Sequence, residues 1–249
     1  ALLFDVDGTL ADTEEVHRQA YNAAFDAAGL GWDWSTGLYL ELLSVCGGKE
    51  RIRHYMQQQA IELPADVDTF IADLHASKTD YYVAMMGEGR AALRPGVERL
   101  IREAHAAGLR LAIVTTTTPA NVSALFKHAF GVHEDDWFEV VAAGSIVPNK
   151  KPAPDIYNFV LEKMGLSPAE CLALEDSANG MNAALAAGID TLVTVNRYTD
   201  AHDFSGAAAV LNHLGEADNP CNLLQGELQP GPVVDVDYLL RLHAACRES

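Results

Sequence analysis

Near its beginning the chain reads Leu2-Leu3-Phe4-Asp5-Val6-Asp7-Gly8-Thr9-Leu10, an apolar run that ends in two carboxylates and a Gly-Thr turn. In an extended segment, side chains two positions apart project to the same side, so Asp5 and Asp7 can face one small volume. Two acids held that close repel each other unless a cation or a proton lies between them. The pair could therefore bind a divalent ion, with Asp5 as nucleophile and Asp7 as proton donor. The alternative is a plain strand end followed by an Asx turn.

The chain has 249 residues, an apolar fraction of 49% and a formal net charge of −18. This length can bury a full core. The negative charge argues against nucleic acid and membranes as partners, and no uninterrupted apolar stretch is long enough to span a bilayer. It also means that a site for an anionic substrate must be locally positive. The four cysteines lie far apart and match no zinc spacing, which favours a reducing compartment.

From residue 97 onward, apolar strands alternate with amphipathic helices. This alternation predicts an α/β fold with a doubly wound, Rossmann-like parallel sheet, to which the first strand also belongs. Residues 13–90 read instead as consecutive helices, so we expect an inserted, all-helical cap domain there. The core domain is then residues 1–12 and 91–249. In its turn-rich tail we expect a short edge strand at Val233–Val236 and a closing helix at Asp237–Cys246.

Polar residues follow the predicted strands at their carboxyl ends, where open α/β sheets bind ligands. The first strand ends at Asp5 and Asp7, the second at Thr115 and the fourth at Glu175-Asp176, while Lys151 follows the third. We expect Asp5, Glu175 and Asp176, with the backbone carbonyl of Asp7, to hold Mg²⁺. Thr115 can hold phosphate oxygens, and Lys151 can neutralise charge during transfer. Each feature alone could be a β-forming threonine run, a solvated loop or a helix cap, but their convergence predicts a phosphoryl-transfer site.

These residues resemble the sequence motifs of a known protein family. Asp5-Val6-Asp7-Gly8-Thr9, Thr115, Lys151 and Glu175-Asp176 resemble the four motifs of the haloacid dehalogenase-like phosphatases, and the helical block resembles their helical cap. The resemblance implies that Asp5 accepts the phosphoryl group, that Asp7 is the general acid and base, and that Mg²⁺ is essential. The second acid, Asp7, also disfavours the dehalogenase branch of the superfamily.

Further segments are similar to the CbbY group of this superfamily, at residues 11–17, 47–52, 93–96, 115–121 and 150–157. That group is known for removing the 1-phosphate of xylulose 1,5-bisphosphate, an inhibitor of Rubisco. A bisphosphate needs cations for its distal phosphate, and Lys49 is the first candidate and Arg51 the second. For Arg51 and His17 the alternative is a solvated helix face or a local pair. The expected substrate-binding residues are Glu14, His17, Tyr39, Gly48, Lys49, Arg51, Thr116 and Asn121.

The sequence therefore predicts a monomeric, Mg²⁺-dependent phosphatase that acts on a small sugar bisphosphate through an aspartyl-phosphate. A β-phosphoglucomutase-type enzyme with the same chemistry is the first alternative. The second is a catalytically idle relative that serves as a binding module. Losing Asp5, Asp7 or Lys151 would favour that reading, and all three are present. The resemblance also favours the chloroplast stroma over the bacterial cytoplasm, because the tail is longer than the fold needs.

Overall fold

The computed structural model describes residues 1–61 and 65–248, and its centre is a seven-stranded sheet. The order across the sheet is β3-β2-β1-β4-β5-β6-β7. β1 to β6 pair in parallel, and β7 pairs antiparallel with β6. This confirms the predicted doubly wound α/β sheet, with β1 between two neighbours. The strands are β1 (Leu2–Phe4), β2 (Leu111–Val114), β3 (Val140–Ala142), β4 (Leu172–Glu175), β5 (Asp190–Thr194), β6 (Ala209–Leu211) and β7 (Leu223–Gln225).

Helices cover both faces of the sheet. Successive residues of β1 point to opposite faces, so the strand contributes apolar side chains to both. Leu2 and Phe4 pack into one apolar cluster, and Leu3 packs into another. The helices are α1 (Glu14–Ala27), α2 (Thr36–Leu42), α3 (Gly48–Gln58), α4 (Val67–Gly87), α5 (Val97–Ala106), α6 (Pro119–Leu125), α7 (Asp155–Met164), α8 (Ala178–Ala186) and α9 (Val236–Glu248). The first cluster is completed mainly by α5, α6 and α9, and the second by α7 and α8.

The inserted helical cap comprises α1 to α4, which lie between β1 and β2 in the chain. Its interior is an aromatic cluster that includes Tyr21, Phe25 and Trp34, all at most 1% exposed. The two segments that connect it to the sheet run side by side, with Ala11 and Leu93 bridged antiparallel. The fold with its helical cap is therefore confirmed, while the exact boundaries at residues 13 and 90 stay predictions. Residues 62–64, within the predicted cap, and residue 249, within the predicted core, lie outside the described residues.

The tail differs from its prediction. The expected edge strand at Val233–Val236 is wrong: Val234 lies in a loop, and its apolar side chain is 0% exposed in the core cluster. The outer strands are instead β6 and β7, which have three residues each. Strands this short show too little alternation to be recognised from sequence. The closing helix is confirmed as α9, and the tail thus completes one edge of the sheet.

Candidate active site

The carboxyl ends of β1, β2 and β4 open into a cavity of about 490 Å³, and cap residues close it from the other side. Two predicted site residues, Tyr39 and Glu175, lie behind the lining and are 0% and 1% exposed. The structure brings the other predicted residues together around one space. These residues are Asp5, Asp7, Glu14, His17, Gly48, Lys49, Arg51, Thr115, Thr116, Asn121, Lys151 and Asp176.

Lys151 lies at the centre of the core side of this cavity. Its ammonium group donates to Asp5 Oδ1 at 2.8 Å, to Glu175 Oε1 at 2.6 Å and to the backbone carbonyl of Val114 at 2.8 Å. Burial by itself lowers the pKa of a lysine, but here the two carboxylates outweigh burial and raise the pKa of Lys151. The side chain therefore stays charged, as the predicted charge-neutralising role requires.

Asp5, Glu175 and Asp176 form a buried acidic group, in which one oxygen from each residue lies within 4.8 Å of the others. Burial raises the pKa of Asp5 to about 7, with Lys151 opposing and Glu175 adding to the shift. Burial and then Asp5 and Glu175 raise the pKa of Asp176 well above its ordinary value. A cation relieves such crowding, and carboxylate oxygens are the ligands that Mg²⁺ prefers, so the residues present fit this ion.

The carboxyl group of Asp7 is not part of this group and is held by α1 and the residue before it. Its Oδ1 accepts a hydrogen bond from Thr13 Oγ1 at 2.7 Å and lies 2.9 Å from His17 Nε2. Burial raises the pKa of Asp7, but attraction to His17 and these two hydrogen bonds outweigh burial and bring the pKa well below its usual range. Asp7 is therefore ionised here, and a metal contact through its backbone carbonyl stays a prediction.

A buried lysine that the sequence analysis missed stands behind His17. Lys78 of α4 is 3% exposed, and its Nζ lies 2.6 Å from His17 Nδ1. The ammonium also lies over the rings of Tyr21 and Tyr82, at 4.9 and 5.1 Å from their centroids. Burial lowers the pKa of Lys78 to about 7, although Asp7 opposes the shift. A continuous row of side chains thus joins Lys78 to the carboxyl group of Asp7.

The sequence did contain a signal for Lys78. It lies on the same helical face as Ile71, Leu74 and Tyr82, which are all buried. A lysine at a core position of an amphipathic helix is unusual, because a buried ammonium group needs a partner. The partner itself could not be predicted, since His17 lies 61 positions away on another helix.

The loop after β2 supplies hydroxyl and amide groups. Thr115 is 1% exposed, and its Oγ1 accepts from the backbone N–H of Thr117 at 3.3 Å. Thr116 is half-buried beside it. Asn121 donates from Nδ2 to Thr117 Oγ1 at 2.8 Å, while its buried Oδ1 has no hydrogen-bond partner among the described residues. Asn121 lines the cavity, and its contact with a substrate stays a prediction.

Glu14, Tyr39 and Arg51 form a hydrogen-bonded row inside the cap. The Tyr39 hydroxyl donates to Glu14 Oε2 at 2.8 Å, and Arg51 Nη1 donates to that hydroxyl at 3.2 Å. Arg51 also donates to the backbone carbonyls of Leu42 and Val45. The row holds Glu14 at the cavity, whereas most donors of Arg51 are used within the cap. Direct substrate contacts by Tyr39 and Arg51 stay predictions.

Lys49 has an ammonium group free of such bonds among the described residues, whereas most donors of Arg51 are used within the cap. It is exposed, lines the cavity and forms no ion pair with any described residue. Gly48 begins α3 beside it, where a Cβ would lie 2.3 Å from His75 Nε2, so only glycine allows this approach. Among the described residues, five basic side chains line one cavity of a chain with net charge −18, as an anionic substrate requires. They belong to Lys49, Arg51, Lys78, Lys150 and Lys151.

Two core residues outside the predicted set hold the acidic group in place. The Tyr157 hydroxyl donates to Glu175 Oε1 at 2.6 Å, and Asn196 Nδ2 donates to Asp176 Oδ2 at 2.7 Å. Tyr157 lies in the segment 150–157 that the sequence analysis singled out without giving this residue a role. Asn196 lies just beyond β5, a strand end that the sequence analysis did not consider. The same search at that end would have found it.

Comparison with known proteins identifies a matching family model and two similar relatives. A model of the haloacid dehalogenase-like hydrolases matches residues 1–188. The chain is 50% identical over 222 residues to the plasmid-encoded protein CbbY of Cupriavidus necator, across 88% of this chain and 87% of that one. It is 39% identical over 222 residues to a CBBY-like protein of Arabidopsis thaliana, across 87% of this chain and 69% of that one.

One solved structure is similar in both sequence and fold. It is the crystal structure of a CbbY mutant from Rhodobacter sphaeroides in complex with xylulose-(1,5)bisphosphate. The two proteins share 46% sequence identity with a TM-score of 0.80, and the match covers 85% of this chain and 93% of that chain.

Proposed function

Because the chain belongs to the haloacid dehalogenase-like hydrolases and is a phosphatase, we propose that it is a Mg²⁺-dependent sugar-bisphosphate phosphatase. Its proposed substrate is xylulose 1,5-bisphosphate and its product xylulose 5-phosphate, so that the reaction removes an inhibitor of Rubisco. The complex of the Rhodobacter sphaeroides protein with this bisphosphate supports the substrate.

The proposal rests on the opposite charges at the two ends of the cavity. Asp5 and Asp7 lie at its core end, and Lys49 stands at its cap end without an ion pair among the described residues. A monophosphate would use only the core end. A small bisphosphate uses both, because the reacting phosphate meets Asp5 while the distal phosphate meets the cap cation.

The chemistry begins with attack of the Asp5 carboxylate on the phosphorus atom, which forms an aspartyl-phosphate. Lys151 faces the charge that accumulates on the phosphoryl oxygens, and Thr115 and the following backbone N–H hold them. Bound Mg²⁺ supplies further positive charge beside Asp5, Glu175 and Asp176. Water then hydrolyses the aspartyl-phosphate and restores Asp5.

Asp7 serves as acid in the first step and as base in the second. Its pKa is lowered by His17 and Thr13, so the free enzyme holds it ionised. A phosphate dianion brought beside this carboxylate raises its pKa, because like charges favour the protonated form. Asp7 takes up a proton as the substrate binds, and it donates this proton to the sugar oxygen as the bond from that oxygen to phosphorus breaks. After the alcohol departs, the ionised group accepts a proton from the attacking water.

The deciding experiment compares two substrates, with and without Mg²⁺. We expect release of inorganic phosphate from xylulose 1,5-bisphosphate, loss of release after chelation with EDTA, and no conversion of β-glucose 1-phosphate to glucose 6-phosphate. Conversion of β-glucose 1-phosphate would assign the mutase instead. Turnover of neither substrate, despite bound Mg²⁺, would reject both xylulose 1,5-bisphosphate and the mutase alternative.

The partners and the location belong to the same proposal. We propose a monomer that works on a small molecule, with no nucleic acid or membrane partner. Within residues 1–61 and 65–248, each helix is too short or too polar to cross a bilayer. Relatives occur in a bacterium and in a plant, so both the bacterial cytoplasm and the chloroplast stroma are consistent with them. Location of a tagged chain in the source cells distinguishes the two.

A further inference from the structure

Glu175 has two oxygens in different situations. Oε1 accepts hydrogen bonds from Lys151 Nζ and from the Tyr157 hydroxyl, both at 2.6 Å. Oε2 is buried and has no hydrogen-bond partner among the described residues. A carboxylate oxygen left without a donor in a buried site is unfavourable, so an unbonded Oε2 indicates that a further group belongs beside it.

Two features of the core fix the orientation of the Glu175 carboxylate. Gly180 in the first turn of α8 leaves space for Glu175 Oε2, because a Cβ at this position would lie only 1.9 Å from that oxygen. Tyr157 on α7 supplies the hydroxyl that holds Oε1, and its ring lies 5.4 Å from the Lys151 ammonium. The side chain of Tyr157 therefore contacts both members of the Lys151–Glu175 pair.

Lys151 cannot hold the carboxylate in this orientation by itself. Its three N–H groups already serve Asp5, Glu175 and the Val114 carbonyl. A single bond to Oε1 leaves the carboxylate free to rotate and to share Lys151 through either oxygen. The second bond, from Tyr157, removes that freedom.

We propose that Tyr157 is a positioning residue of the metal site, whose hydroxyl fixes Glu175 Oε1 on Lys151 and keeps Oε2 available to the cation or its bound water. The inference rests on the Mg²⁺ dependence proposed above, and it does not depend on which sugar phosphate is the substrate. Groups that orient metal ligands in this way typically change metal affinity by about 10–100-fold when they are removed.

The test separates the hydroxyl of Tyr157 from its ring. Tyr157 is 0% exposed in an apolar cluster, and phenylalanine fills the same place. Calorimetric titration with Mg²⁺, without substrate, should give a dissociation constant about 10-fold higher in Tyr157→Phe than in the native protein. The matched control is Tyr238→Phe, which loses a buried hydroxyl bond to the Leu228 carbonyl far from the cavity. Each variant removes one hydrogen bond of a tyrosine hydroxyl, but the control should bind Mg²⁺ normally.

A double-mutant cycle shows whether Tyr157 acts through Glu175. In a Glu175→Gln background, Tyr157→Phe should change Mg²⁺ affinity no further. Gly180→Ala should also weaken Mg²⁺ binding, because it displaces the same carboxylate, and it serves if Tyr157→Phe does not fold. Native Mg²⁺ affinity in either single variant, or additive losses in the cycle, overturns the proposal. Weakened Mg²⁺ binding without turnover of xylulose 1,5-bisphosphate would reject the proposed substrate and keep this inference.

Discussion

The two ends of the cavity balance their charges in opposite ways. At the core end, Lys151 serves the acids Asp5 and Glu175, with Asp176 beside them, so negative charge is in excess. At the cap end, Lys78 contacts an imidazole and two aromatic rings, so positive charge is in excess. The difference supports the proposal that the core end binds a cation and the cap end binds the anionic part of a substrate. Variants at each end can sharpen or break this contrast.

The largest effect is expected at Asp5. Asp5→Asn removes the nucleophile and should lower phosphate release by at least about 10⁴-fold, with the melting temperature almost unchanged. Steady-state phosphate release and circular dichroism check the two parts. The control, Asp237→Asn, alters an exposed acid on α9 and should be fully active. Near-native rates in Asp5→Asn would mean that the core end does not carry the nucleophile.

Lys151→Met tests the excess of negative charge directly. It leaves Asp5 and Glu175 buried without their cation, which should destabilise the fold by about 3–5 kcal/mol at pH 7 and abolish activity. Saturating Mg²⁺ should recover part of that stability, because it binds only the folded site. Urea unfolding with and without Mg²⁺ measures both effects. Lys163→Met, at an exposed position of α7, is the control. If Mg²⁺ does not change the stability of Lys151→Met, the result contradicts a cation site at this end.

Lys78→Met should make the protein more stable and less active. Burial lowers the pKa of Lys78 to about 7 from 10.5, so the unfolded chain binds more protons between these values. Native stability therefore rises with pH over that window, and the charged lysine is most unfavourable at pH 7 and below. The variant should melt at a higher temperature at pH 6 to 7, and its advantage should fade toward pH 10.

The activity of Lys78→Met should fall by about 10²-fold, because His17 loses the group that holds it against Asp7. Melting temperatures between pH 6 and 10 and the pH profile of kcat check both predictions. If Lys78→Met is less stable than the native protein at pH 6, the neighbours of Lys78 compensate for the burial of its ammonium group. The proposed contrast between the two ends of the cavity would then be wrong.

Lys49→Ala should act on one class of substrate only. The loss of a phosphate-binding cation should raise KM for xylulose 1,5-bisphosphate by about 10-fold, with little change for an aryl monophosphate. Lys49→Arg keeps the charge and should recover most of the affinity. An equal loss on both substrates would place Lys49 outside the distal site.

The core end could be predicted from the sequence, and most of the cap end could not. Asp5, Thr115 and Glu175-Asp176 follow strands, and the carboxyl ends of parallel strands meet by topology alone. No such rule brings α1 and α4 together, so the contact between Lys78 and His17 appears only after the helices pack. The same limit applies to Tyr157, whose partner Glu175 lies on another element. Glu14 and His17 were found through the resemblance, not through helical spacing.

The smallest effect is expected at the link between the two ends. Lys150, from the core loop, lies 3.4 Å from Glu50 of α3, and both side chains are partly exposed. Such a pair contributes about 0–1 kcal/mol, so Glu50→Gln should raise KM by no more than about 5-fold. Because salt screens exposed pairs, the native protein should lose kcat/KM as ionic strength rises, and the variant should lose less. Identical salt dependence in both proteins would show that this pair does not help to join the cap to the core.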